Sequence, residues 1–140
     1  MHDAVVFDSK FVIVLRDDIL FWQKLNVTAF LTSGIVGATP NLIGETYRDA
    51  AENSYLPLCV QPIVVLSADL DTLRTILKRA LQREVSASLY IEEMFATGHD
   101  AANRAVFAQY DPDTANIVGI ALRTDKKIAD KITKGAKMHP

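Results

Sequence analysis

The sequence predicts an α/β fold in which helices cover both faces of a small sheet. Two kinds of segment predict it: apolar runs rich in β-branched residues, and segments whose apolar residues recur every three or four positions. The two kinds alternate four times along the chain, which is typical of an α/β/α sandwich. The 140 residues are enough for one core and short for two, so we expect a single domain over residues 1–140.

The first strand and helix are predicted by the segment from "KFVIVLR" to "SGIVGATP". Phe11 to Leu15 is a continuous apolar run bounded by charge, as in a strand buried on both faces. Asp17 and Asp18 follow where a helix would begin, and carboxylates there can cap it. We expect a helix from about Ile19 to Ser33, ended by three residues that disfavour helix: Gly34, Gly37 and Pro40.

This first helix is apolar around most of its circumference. Trp22, Leu25 and Ala29 form one stripe, while Val27 and Phe30 extend the apolar surface to other sides. A helix of this kind needs cover from its own sheet and from other protein. We therefore expect a subunit interface, most simply in a homodimer.

The rest of the chain continues the alternation. "IGETYRDAAENSYLPL" predicts an extended excursion or hairpin that turns near Glu52, and "PIVVLSA" predicts a second strand. Asp69 can cap the helix after it, whose outer face carries four bases, Arg74, Lys78, Arg79 and Arg83. "VSASLYI" predicts a third strand, "HDAANRAVFAQ" a short helix and "NIVGIAL" a fourth strand. A last helix is expected from about Asp125 to Lys134, with Gly135 as its stop.

Charge and cysteine content limit the classes of function. The net charge is -2, but Arg123 to Pro140 carry six basic and two acidic residues. This is either a local patch for a polyanion or the solvated face of a helix. The single cysteine, Cys59, forms no internal disulfide and suits a buried position in a reducing cytoplasm. The N-terminus lacks a signal-peptide pattern and no apolar run could span a bilayer, so we expect a cytoplasmic protein without membrane contact.

Several kinds of site are excluded by pattern. A dinucleotide site needs a glycine-rich turn after the first strand, but that turn holds Arg16 and two aspartates. The sequence has no P-loop and no G-x-S-x-G elbow. Its three histidines, His2, His99 and His139, lie far apart without metal-ligand spacing. We expect neither a cofactor nor a metal.

Two segments remain as candidate sites. Lys24 and Thr28 are four residues apart and share one side of the first helix, where the lysine either reaches solvent from an apolar helix or serves chemistry. "IEEMFATGHDAANR" follows the third strand, and ends of strands are common positions for sites. Thr97 or Asp100 could cap the next helix. This segment supplies the remaining candidates: Glu92, Glu93, Thr97, His99 and Asp100.

The arrangement resembles type II peptidyl-tRNA hydrolase in three segments. "VIVLRDDILFWQKLNVTAFL" is similar to that family's first strand and G-K-x-A-A-Q-x-x-H helix, with the lysine at Lys24, the glutamine at Thr28 and the histidine at Leu31. "PIVVLSADLDTLRTILKRALQREVSASLYIEE" places the family's aspartate at Glu92, and one inserted residue brings its threonine to Thr97. "NIVGIALRTDKKIADKITKGAKMHP" resembles the closing strand and helix. The resemblance implies a mixed sheet of about four strands.

A closer resemblance is to an uncharacterised branch, the domain of unknown function two thousand, through "RDD", "WQKLN", "EEMFATGH" and "KGAKMHP". Two functions stay open. The first is a binding or interaction module in which Lys24, Glu93 and His99 hold a small anionic ligand or complete an interface. The alternative is an ester hydrolase acting on peptidyl-tRNA or a related acyl compound.

In the hydrolase reading, the resemblance implies that Lys24 stabilises negative charge, Glu92 positions or deprotonates water and Thr97 is their hydrogen-bonding partner. The phosphates of tRNA would then meet basic side chains, namely Arg74, Lys78, Arg79, Lys126, Lys127 and Lys131.

Overall fold

The structure, a computed structural model, describes residues 6–140. Within this range the helices are α1 (Phe21–Ala38), α2 (Leu70–Gln82), α3 (Asp100–Phe107) and α4 (Lys126–Ile132), with a 3₁₀ turn at Glu92–Ala96. The strands are β1 (Ser9–Arg16), β2 (Tyr47–Arg48), β3 (Ser54–Tyr55), β4 (Ile63–Ala68), β5 (Ala87–Ile91), β6 (Ile117–Asp125) and β7 (Lys137–Met138). No helix among these residues combines the length and apolar character needed to cross a bilayer.

Five strands form the main sheet in the order β5, β6, β1, β4, β7. β1 and β4 are parallel, and the other pairs are antiparallel, so the expected mixed sheet is confirmed. The expectation of about four strands was low by one. The chain turns at Gly135, whose φ is 104°, and "KM" then pairs with β4 through Leu66 and Ser67. A two-residue strand is too short to stand out in a sequence pattern.

The core lies on both faces of this sheet because β1 is apolar at every position from Phe11 to Leu15. Phe11 and Ile13 face α1, while Val12 and Val14 face α2 and α4. Alternate side chains of a strand point to opposite faces, so an unbroken apolar run is what a doubly covered strand requires. The predicted burial of the first strand on both faces is confirmed.

The start and end of α1 differ from the prediction. Neither Asp17 nor Asp18 caps the helix, because Asp18 binds the side chain of Arg16 instead. α1 begins at Phe21, and the amide of Leu20 donates to Oε1 of Gln23 at 2.9 Å. The helix also continues past the predicted glycine stops, to Ala38.

Gly34 lies inside α1 because the helix packs closely on β5 there. A Cβ atom at Gly34 would lie 3.0 Å from the Cβ of Ser88. The hydroxyl of Ser88 donates to the carbonyl of Leu31 at 2.8 Å at the same contact. The glycine is therefore a packing residue and not a helix stop.

Helix α2 begins as predicted, and two arginines of its basic face contact neighbouring segments. The carboxylate of Asp69 accepts a hydrogen bond from the amide of Thr72 at 2.8 Å, which confirms the cap. Arg74 donates to the carbonyl of Ala115 at 3.1 Å, and Arg79 donates to that of Lys134 at 2.7 Å. Both arginines of the predicted outer face are partly exposed, and each reaches a main-chain carbonyl of a neighbouring segment.

The predicted excursion after α1 contains the small β2–β3 hairpin. Tyr47 pairs with Tyr55, and Glu52 lies in the turn with a φ of 65°. The carboxylate of Asp49 accepts hydrogen bonds from the side chains of Asn53 and Tyr55, which lower the pKa of Asp49 to about 2. The expected hairpin is confirmed.

We predict that a methyl group at Gly119 loosens the contact between α1 and the sheet. The new Cβ would lie 2.7 Å from Val27 Cγ1 and 2.9 Å from Leu31 Cδ1. Gly119→Ala should lower the free energy of unfolding by about 1–3 kcal/mol, as overpacking of a core does. Urea denaturation at equilibrium measures this change.

Gly37→Ala is the matched control, because nothing lies within 4 Å of its added Cβ and Gly37 is inside α1. It should raise the free energy of unfolding by up to about 1 kcal/mol, since glycine is a poor helix former. A Gly119→Ala midpoint equal to or above that of the wild type would contradict the proposed contact.

Candidate functional site

The directions of the strands bring three chain segments to one end of the sheet. β1 and β5 are each antiparallel to β6, so both finish at the end of the sheet where β6 begins. Arg16 ends β1, Glu92 follows β5, and Asn116 precedes β6 at this end. The amide of Glu92 donates to the carbonyl of Asn116 at 2.9 Å and links two of these segments. Strand ends of this kind are usual positions for binding groups in α/β proteins.

Arg16 is the buried charge at this end of the sheet. Its side chain is only 9% exposed, and it donates from Nε to Asp18 Oδ1 at 2.5 Å and from Nη2 to Glu92 Oε1 at 3.2 Å. Burial alone would lower the pKa of Arg16, but the hydrogen bonds and negative charges of Asp18 and Glu92 outweigh it and raise that pKa. Arg16 therefore stays charged and holds Glu92 in place.

Glu93 lies at the same end of the sheet and has a structural contact there. Its Oε1 accepts a hydrogen bond from Nδ2 of Asn116 at 2.6 Å, and Asn116 Oδ1 lies 3.5 Å from Nη2 of Arg74. Its Oε2 is buried and has no hydrogen-bond partner among the described residues. Glu93 thus ties the 3₁₀ turn to the start of β6.

Lys24 and Thr28 lie on the side of α1 that faces the sheet. At about 100° per residue, Lys24 is within about 20° of the buried Leu31 around the helix axis. The Thr28 hydroxyl donates to the Lys24 carbonyl at 2.7 Å, and Lys24 Nζ lies 5.9 Å from the ring centroid of Phe21. Among residues 6–140, no carboxylate lies within 4.0 Å of Lys24 Nζ.

A cleft of about 380 Å³ lies between α1, the 3₁₀ turn and α3. Four aromatic rings form a chain along it. The ring centroids of Trp22 and Phe95 are 5.7 Å apart, those of Phe95 and Tyr90 are 5.3 Å apart, and those of Tyr90 and Phe30 are 5.8 Å apart. Met94 and Gly98 also line the cleft, together with five polar residues: Asn26, Thr97, His99, Asp100 and Asn103.

The polar side of this cleft is held by short-range hydrogen bonds. The Thr97 hydroxyl donates to the Met94 carbonyl at 2.8 Å and contacts the side-chain amide of Asn103. His99 caps α3, because its Nδ1 accepts from the amide of Ala102 at 3.2 Å. The prediction that Thr97 or Asp100 is the cap was wrong.

The reason is the backbone at the start of α3. His99 is extended, with φ of −161° and ψ of 168°, so it occupies the cap position, while Asp100 is already the first helical residue. The Asp100 carboxylate instead accepts from Nε of Arg104 at 2.7 Å. Because the ring of His99 accepts at Nδ1, a neutral His99 carries its proton on Nε2.

The predicted site residues lie in three places. Thr97, His99 and Asp100 line the aromatic cleft. Glu92 and Glu93 lie at the end of the sheet beside Arg16 and Asn116. Lys24 and Thr28 lie on the sheet-facing side of α1. The first helix and the loop after β5 do meet, but through Trp22 and Phe95.

Comparison with known proteins identifies the family. A family model described as "Protein of unknown function (DUF2000)" matches residues 9–140. The chain belongs to this family. A comparison with curated proteins finds no match.

The DUF2000 chain is also similar to a solved structure, that of the protein of unknown function Atu0240 from Agrobacterium tumefaciens strain C58. The two share 63% sequence identity with a TM-score of 0.95, over 96% of this chain and 100% of that one. The comparison establishes the α/β fold and assigns no activity.

Sequence reasoning missed the residues that give the candidate site its shape. The sequence places Arg16 in the turn after the first strand, whereas Arg16 ends β1 and pairs with two carboxylates. Trp22 and Asn26 are four residues apart, so they share one side of α1, and that spacing was a usable signal. Phe95 and Tyr90 carried no such signal, because their contacts depend on how α1 crosses β5. Among residues 6–140, no three His, Cys, Asp or Glu side chains group as metal ligands, and His2 lies outside that range.

We predict that the two sides of the Arg16 ion pair respond unequally to mutation. Asp18→Ala with Glu92→Ala leaves a buried guanidinium without a carboxylate and should lower the free energy of unfolding by about 1–3 kcal/mol. Arg16→Met leaves two carboxylates that are more than half exposed and can be hydrated, so its loss should stay within about 1 kcal/mol.

Urea denaturation of both variants and the wild type at neutral pH measures the difference. A larger loss for Arg16→Met than for the double variant would show that the carboxylates, and not the arginine, depend on the pair.

Proposed function

We propose that residues 1–140 form one binding domain of the three-layer, type II peptidyl-tRNA hydrolase-like type, whose ligand occupies the aromatic cleft. α1 on one face of the sheet, with α2 and α4 on the other, supports the three-layer description. The chain of four rings carries the proposal. Trp22 and Phe30 are 56% and 53% exposed, so a ligand would remove apolar surface from water there.

The lining favours a planar, neutral ring that carries hydrogen-bonding groups. Asn26 and Asn103 offer donors and acceptors, and His99 offers Nε2. The one carboxylate in the lining, on Asp100, is paired with Arg104. Any nucleobase can stack on an aromatic side chain, because every base has a π-face. A nucleobase therefore fits this lining better than the small anion that the sequence suggested.

The ligand class can be tested through the single tryptophan of the chain. Trp22 lines the cleft, so stacking of adenosine, guanosine or uridine should quench its fluorescence in the wild type. Asn26→Ala removes a polar contact from the lining and should weaken nucleoside binding by about tenfold.

Leu25→Ala is the matched control. Leu25 neighbours Asn26, is 73% exposed and does not line the cleft. It should bind nucleosides as the wild type does. No quenching by nucleosides at millimolar concentration, or equal weakening in both variants, would reject this ligand class.

A second function is favoured by Lys24. Position 24 is on the sheet-facing side of α1, and the Lys24 ammonium, 5.9 Å from the ring centroid of Phe21, has no carboxylate within 4.0 Å among the described residues. An ester hydrolase acting on peptidyl-tRNA would use Lys24 to stabilise negative charge, Glu92 to position water and Thr97 as their partner. Arg16 already holds Glu92, which suits positioning of water better than proton abstraction.

The tRNA partner would meet fewer bases than the sequence suggested. Arg74 and Arg79 bind main-chain carbonyls and Lys78 pairs with Asp113. The phosphate contacts of this reading therefore fall to α4, which carries Lys126, Lys127 and Lys131.

Incubation of the purified protein with peptidyl-tRNA tests the hydrolase. Lys24→Ala should reduce release of the peptide by about a hundredfold, as loss of one charge-stabilising group does. Lys134→Ala removes an exposed lysine and should change the rate little. Turnover in the wild type that equals turnover in Lys24→Ala would end this reading.

A homodimer stays a prediction. Phe21 and Leu25 on the outer side of α1 are 82% and 73% exposed, and a second copy would cover them. Sedimentation velocity at micromolar concentration tests this state, and a monomer there would reject it.

A further inference from the structure

β5 is an outermost strand of the sheet, and its outer side has no neighbouring strand among the described residues. Two hydrogen bonds give the direction of its amides. The Glu92 amide points inward to the Asn116 carbonyl at 2.9 Å, whereas the Ile91 amide points outward to Met94 Sδ at 3.5 Å. Amides alternate in direction along a strand, so the backbone groups of Leu89 and Ala87 also point outward.

These outward groups are unused within residues 6–140. No backbone group outside the sheet ladder binds the amide or carbonyl of Ala87 or Leu89. An open strand edge of this kind is a template for pairing with another extended chain.

A groove lies on each face of the sheet beside this edge. The groove on the α2 side is about 450 Å³ and is mainly apolar, with Leu77, Leu81 and Tyr110 in its lining. The groove on the α1 side is about 430 Å³ and includes Phe30. Phe107 at the end of α3 lines both grooves.

We propose that the open edge of β5 binds an extended peptide as an added strand, with basic residues among apolar ones. Side chains of an added strand alternate between the two faces and would enter the two grooves in turn, as in other strand-addition complexes. The α1-side groove adjoins the aromatic cleft, with which it shares Phe30, Tyr90, Met94, Asp100 and Asn103. Pairing with the backbone of β5 does not depend on nucleoside binding beside Trp22.

Charge selects the peptide. The charged residues that line the α2-side groove are Glu84 and Asp111, and Lys78, whose charge also acts on Asp111, pairs with Asp113. The α1-side groove holds Asp100 and Arg104, which pair with each other. Backbone hydrogen bonds from Asp113 and Thr114 lower the pKa of Asp111, so it stays ionised near neutral pH. Lys or Arg side chains of a bound strand complement both carboxylates.

The probe is a phage-displayed library of peptides about seven residues long, enough to span β5. It is panned on the full chain, with Ala87→Pro as counter-target. Proline at position 87 removes an outward amide and leaves the β6 ladder intact. We expect enriched peptides with alternating apolar residues and Lys or Arg, and about tenfold weaker binding to Ala87→Pro.

Hydrogen exchange on the wild type tests the same contact without a mutation. A bound peptide should slow exchange at the Leu89 amide, while the inward amides of Ser88 and Tyr90 are slow with or without peptide. Glu84→Gln with Asp111→Asn should weaken basic peptides without altering this protection pattern.

Three outcomes would overturn the proposal. They are enrichment no greater than on a folded Ala87→Pro variant, protection of amides away from β5, and a wild-type dimer that Ala87→Pro converts to monomer. The last result would assign the edge to a second copy of this chain. Circular dichroism and the urea midpoint establish that Ala87→Pro is folded.

Discussion

The close approach of α1 to the sheet is the contact on which both candidate sites depend. Gly119 on β6 leaves room for Val27 and Leu31, and Gly34 on α1 leaves room for Ser88 of β5. Because the helix lies this near the sheet, one side of α1 directs Lys24 toward it. The adjacent side then brings Trp22 against Phe95. A bulkier residue at either glycine would therefore shift both the position of Lys24 and the contact of Trp22 with Phe95.

The sheet was easier to predict than the positions of its functional groups. β1 from Phe11 to Leu15 and β6 from Ile117 to Leu122 are apolar runs because helices cover both of their faces, and such runs are visible in any sequence. β7 has two residues and is set by the turn at Gly135, so local pattern could not reveal it. The direction of β5 relative to β1 depends on β6 between them, which is a long-range property.

Errors in the site came from local chemistry that a three-dimensional contact overrode. Asp18 has the right residue type for a helix cap, but the buried charge of Arg16 offers it a stronger partner. Asp100 was equally suitable by type, and the extended backbone at His99 made the histidine the cap instead. Residue type and spacing therefore indicate which segments are candidates for a site, while burial and backbone angles decide the hydrogen-bond partners of each side chain.

The ion pair of Arg16 with Glu92 bears on the choice between catalysis and binding. A carboxylate that acts as a general base has to accept a proton during the reaction, and a fixed guanidinium beside it opposes that step. The same guanidinium suits a structural role, because it links the ends of β1 and β5 across β6. The aromatic cleft has no such prior commitment, since Trp22 and Phe30 remain half exposed. A satisfied charge pair and unused apolar surface in the cleft are together the reason that binding is proposed ahead of hydrolysis.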